Sequence, residues 1–75
     1  MTIYDCNKKE TYTIKQLNIE DEKLKLRLYE IGFFVGSIVK VLNKSFLNKT
    51  LLVRVLDSCF AIKGEVAKLI EVDNA

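Results

Sequence analysis

The chain has no histidine, no proline and no tryptophan, and only two cysteines and three glycines among its 75 residues. Without histidine it lacks the side chain that titrates near neutrality and most often serves as general acid or base. No nucleophile has a base beside it, and the carboxylates fall on solvent faces and turns, so the chain reads as a non-enzyme with no catalytic residue. Cys6 and Cys59 are far apart and in no Cys-x-x-Cys spacing, which predicts reduced thiols, no zinc or iron site and no cofactor. The acidic run Glu20, Asp21 and Glu22 reads as compensation of a helix dipole, not as a cation site. A dominant charge is also missing: 12 Lys and Arg against 10 Asp and Glu leave +2, with the two signs interleaved. Phosphate binding by counterion release needs a concentrated basic stripe, so no nucleic-acid partner is expected. The longest stretch without a charge, Ile31 to Val39, is under half a membrane span and holds two glycines, which predicts no direct membrane insertion. The opening MTIYDC lacks a basic segment followed by an apolar one, so no secretory leader is expected and the predicted location is cytoplasmic.

What is present suits a small packed domain: 49% of residues are hydrophobic and 29% charged. This length allows one domain, 1–75, and a domain of that size buries only about 60% of its unfolded surface. Thr11 to Leu17 alternates and is rich in β-branched residues, which predicts a first strand. Asn18 at an N-cap position, acids in the next turn and Gly32 past the last apolar residue predict a helix over Glu20–Ile31. From Ser37 the period changes to two. SIVKVLNK, LLVRVL and SCFAIK then read as three consecutive antiparallel strands, with a long hairpin loop at KSFLNK and a tight Asp57-Ser58 turn. A short turn over Gly64 to Lys68 leads to a closing strand, LIEV. Five strands and one helix between the first two predict a small closed all-β barrel, since closure removes exposed edges. The expected core is Leu24, Leu28, Val39, Val41, Val53, Val55, Phe60, Ile62 and Ile70. Gly32 and Gly36 read as structural turn residues, and Phe33 as the residue that packs back on the helix end.

The run RLYEIGFFVGSIVKVLNKS, followed by LLVRVLDSCFAIKGEVAKLIEV, resembles the FeoA family, the small cytoplasmic component of bacterial ferrous-iron transport. The similarity runs from about Lys25 to Val72. It rests on Arg27-Leu28, on Gly32 and Gly36 four apart, on Val39, Val41, Leu51, Val53 and Val55, and on Ala61-Ile62, Ala67, Ile70 and Val72. The chain departs from the family pattern at Val35, where a proline is usual, through Phe46 to Thr50, and at Asp57. It also differs at Leu42, Leu52, Leu56 and Cys59, where charged residues are common. The resemblance implies an SH3-like barrel. It also implies a non-catalytic adaptor whose partner is the cytoplasmic GTP-binding part of the membrane ferrous-iron transporter. Two other readings start from the same strands: a nucleic-acid-binding KOW-type module, through VGSIVKVLNKS, or the SH3-like domain of an iron-dependent repressor. The near-neutral charge opposes the first, and the lack of a preceding winged-helix domain opposes the second.

Several large apolar residues are not needed by the core. Leu24, Leu28 and Ile31 share one helix stripe, whereas Leu26 lies about 200° and Tyr29 about 140° around from Leu24. Leu42, Leu52 and Leu56 have the outward strand phase, and Phe46 and Leu47 cap the hairpin. Exposed apolar clusters mark protein contacts. Leu26 and Tyr29 are the expected transporter contact, and the strand leucines the expected site of weak self-association.

Overall fold

A computed structural model describes residues 1–75. Ile3–Asp5 forms a single 3₁₀ turn, followed by β1 (Thr11–Leu17), α1 (Glu22–Glu30), β2 (Ile38–Lys44), β3 (Thr50–Val55), β4 (Ser58–Lys63), the one-turn helix α2 (Gly64–Ala67) and β5 (Ile70–Asn74). The strands form one antiparallel sheet in the order β4-β3-β2-β1-β5. β4 and β5 are not paired, so no ladder closes the sheet as the sequence had suggested. Instead the Ile3–Asp5 turn touches β5 and α2, and α2 touches β3 and β4. Two short helical turns thus stand where closing hydrogen bonds were expected.

Period-two patterning puts Tyr12 and Ile14, Val39 and Val41, Leu51, Val53 and Val55, and Ile70 and Val72 on the inner face, all buried. Leu28 anchors the helix to this core, and Ile62 completes β4. Two residues expected in the core are only half-buried, Leu24 and Phe60. Leu24 lies in the first turn of α1. Phe60 lies on the edge strand, with Phe33 edge-on at 6.3 Å on its inner side. The core also draws on the N-terminal segment, where Ile3 and Cys6 are fully buried.

The helix begins later than the sequence suggested. Asp21, not Asn18, is the N-cap, its carboxylate accepting from the backbone N–H of Lys23 (3.0 Å) and Leu24 (3.3 Å). Asn18 ties β1 to the C-terminal end of the chain, donating its backbone N–H to Leu69 (2.7 Å) and its side-chain amide to Glu71 (3.1 Å). At the other end Gly32 has φ +111°. Phe33 N–H donates to the Leu28 carbonyl (2.8 Å) and Gly32 N–H to that of Tyr29 (3.1 Å), the paired bonds of a Schellman ending. The β3–β4 turn is Leu56-Asp57, one residue earlier than expected, because Ser58 already pairs with Val55. Leu56 takes a positive φ of 55° there. Leu42 falls at a bulge in β2, where the register shifts between Val41 and Asn43.

Candidate partner-binding surface

Helix α1 lays Leu28 on the core and turns Leu26 (59% exposed) and Tyr29 (61%) to the outside. At a spacing of three these two side chains are neighbours on one helix face. The Schellman ending reverses the chain immediately after Tyr29, which carries Phe34 back against it with ring centroids 5.3 Å apart. Leu56 joins from the β3–β4 turn. Its Cδ1 lies 2.9 Å from where a Cβ on Gly32 would stand, so the absent side chain of Gly32 is the space that Leu56 covers. Val35 and Ile38, both more than half exposed, continue the apolar surface beyond Phe34.

Beside this ridge Phe34, Gly36, Ile38 and Leu56 border a shallow concavity of about 590 Å³. Its strand side carries Lys40 and Arg54, directly opposite each other across β2 and β3. No acidic residue lines it. Two like charges in register repel, so this wall of the concavity favours an anionic neighbour. Gly36 has φ +96° at the lip, with nothing within 4 Å of its Cβ position.

The other expected contact residues are dispersed. Leu56 has left the strand group for the helix end, and Leu42 is half-buried at the bulge. Leu52, 39% exposed, stands between Asn43 and Ala61 on the outer face of the sheet. Phe46 and Leu47 are strongly exposed at the β2–β3 hairpin, where Leu47 borders a separate concavity with Tyr4, Lys49 and Lys68. Sequence reasoning missed Phe34, Val35 and Ile38. Ile38 was open to it, having the opposite strand phase to the buried Val39 and Val41.

No group of three His, Cys, Asp or Glu side chains lies close enough to hold a metal ion. Cys6 sits in the core with its Sγ 3.5 Å from the Thr2 carbonyl, and burial raises its pKa to about 11 against a smaller opposing pull from Lys44. Cys59 is exposed on β4. No helix is long and apolar enough to cross a membrane.

The chain is a five-stranded SH3-like domain with one docked helix, and its outer surface offers apolar side chains. The FeoA domain model matches residues 1–74, and the chain belongs to the FeoA family. A Campylobacter jejuni protein provisionally named Fe(2+) transport protein A is 33% identical over 73 residues, covering 97% of both chains. The zinc complex of Stenotrophomonas maltophilia FeoA, described as an SH3 domain protein, superposes with a TM-score of 0.81 at 28% identity, over 97% of this chain and 89% of that one. The iron(II) transport protein A of Clostridium thermocellum has the same fold, with a TM-score of 0.90 at 22% identity. That alignment covers 99% of this chain and 45% of that one. Membership places the chain with ferrous-iron transport, as an accessory component.

Proposed function

We propose that this protein is a cytoplasmic, non-catalytic adaptor of bacterial ferrous-iron uptake, which docks on the cytoplasmic GTP-binding part of the membrane ferrous-iron transporter and supports its assembly or activity. Iron is the cargo of that system and not a cofactor of this chain. The observation that carries the reading is the apolar ridge of exposed Leu26, Tyr29 and Leu56 with half-buried Phe34 against Tyr29, built on a helix end that the core does not require to be apolar. Aromatic side chains such as Tyr29 are usual anchors of a protein contact, and apolar neighbours around them exclude water. The Stenotrophomonas relative, described as a candidate activating factor of ferrous-iron transport, supports the same role. The test is capture of the detergent-solubilised transporter by the tagged chain, comparing wild type with Leu26→Glu and Tyr29→Ala. Both variants should keep their circular dichroism spectrum, because neither side chain is in the core, and both should lose most of the captured transporter. Full capture by a folded Leu26→Glu chain would remove the helix face as the docking surface.

A further inference from the structure

β1, β2 and β3 are paired on both flanks. The outer flank of β5 is covered by the N-terminal residues, with Val72 N–H donating to the Met1 carbonyl (2.8 Å) and a bridge between Thr2 and Glu71. β4 has β3 on one side and no strand on the other. A two-residue hairpin turn is closed by a hydrogen-bonded pair, here Val55 and Ser58, and bonded and non-bonded pairs alternate from there. Ser58, Phe60 and Ile62 therefore bond to β3, and Gly64 keeps the same phase, its N–H donating to Lys49 (2.7 Å). Cys59, Ala61 and Lys63 direct their N–H and C=O groups away from the sheet, and all three residues are exposed. Proteins blunt such edges with bulges, prolines and charges. This one has an unbroken register, no proline and a single lysine at its far end.

We propose that the β4 edge pairs antiparallel with β4 of a second copy of this chain, about a two-fold axis at Ala61. That register engages all three outward residues of each strand, Ala61 facing Ala61 and Cys59 facing Lys63. An axis at Lys63 would oppose two ammonium groups, and an axis at Cys59 would run the strand into the Leu56-Asp57 turn. With the axis at Ala61, Lys63 becomes the diagonal neighbour of Asp57 in the second copy, so each end of the junction carries an opposite-charge pair. On the outer face Leu52 flanks Ala61 on β3, and the two copies join these residues into one apolar strip. On the inner face the half-buried Phe60 comes opposite Ile62 of the second copy. The contact is isologous, closes on itself at two subunits and uses none of the ridge residues assigned to the transporter.

Sedimentation velocity on the full chain, from micromolar to millimolar, should show a monomer–dimer equilibrium. Ala61→Pro should abolish it while leaving the circular dichroism spectrum in place, since the N–H it removes points away from β3. The register is read separately by a Cys59→Ser/Ala61→Cys chain. Facing residues of a bonded pair lie about 5.5 Å apart, within disulfide reach, whereas the two Cys59 residues of wild type are about 13 Å apart along the strands. Oxidation should therefore link the double variant into dimers, several-fold faster than wild type. A monomer at every concentration, an Ala61→Pro chain that dimerises like wild type, or wild-type cross-linking as fast as that of the double variant would each overturn the proposal. If Ala61→Pro unfolds, the cross-linking rates decide.

Discussion

Cys6 shows how much a single side chain is governed by its surroundings. Its thiol is fully buried, and burial lifts its pKa from 9.0 to about 11. Between those values the folded chain still holds a proton that the unfolded chain has lost, so Cys6 withdraws stability as pH rises through that window. Tyr12 titrates in the same direction: the Asn7 N–H bond to its hydroxyl lowers its pKa, but burial and the bond to Glu10 raise it overall. The melting temperature of wild type should fall more steeply from pH 9 to 11 than that of Cys6→Ala, the difference isolating the thiol from Tyr12. At neutral pH a thiol reagent should modify only Cys59 in the native protein and both cysteines in denaturant. Gly64 is constrained differently. A Cβ there would overlap the Asn48 carbonyl oxygen, and the backbone cannot retreat without losing the Gly64–Lys49 hydrogen bond. Gly64→Ala should cost about 1–3 kcal/mol in urea melts, as over-packing does.

At the scale of elements, Asp21→Ala should lower stability by about 1 kcal/mol through the loss of the helix cap. In a domain this small that is a fall of about 4–8 °C in melting temperature. Val53→Ala should cost about twice as much, and Val53→Asp should prevent folding, because Val53 is fully buried in the middle of β3. These elements were legible in the sequence wherever one physical signal dominated. The alternation of Leu51, Val53 and Val55 fixes the phase of β3, and Gly32 with Phe33 marks the helix end. Legibility failed where two signals competed. Asn18 and Asp21 are both good caps, and only the bonds Asn18 makes to Leu69 and Glu71 decide between them. The bulge at Leu42 breaks strand phase without any residue that announces it. The ridge was half legible for the same reason: helical angle places Leu26 and Tyr29 outside, but nothing local says that Phe34 folds back on Tyr29 or that Leu56 crosses to Gly32.

For the whole molecule, the N-terminal segment is structural although its sequence has no period. Ile3 and Cys6 are fully buried, and the Ile3–Asp5 turn lies against both β5 and α2. Irregular segments leave no hydrophobic rhythm to read, so nothing in the sequence of Met1 to Glu10 places Ile3 and Cys6 in the core. Removing residues 1–6 should leave a chain without a cooperative thermal transition, since it strips two core side chains and uncovers the flank of β5.

The bond between Met1 and Val72 also orders events in time. The meander β2–β3–β4 joins residues near one another in sequence and can form as soon as it is made, and β1 can add to β2, whereas the first turn and the other flank of β1 find their partner only in β5. A ribosome making this chain therefore leaves the opening residues unsatisfied until β5 has been synthesised. The nascent chain matures in one late step and not from its beginning forward.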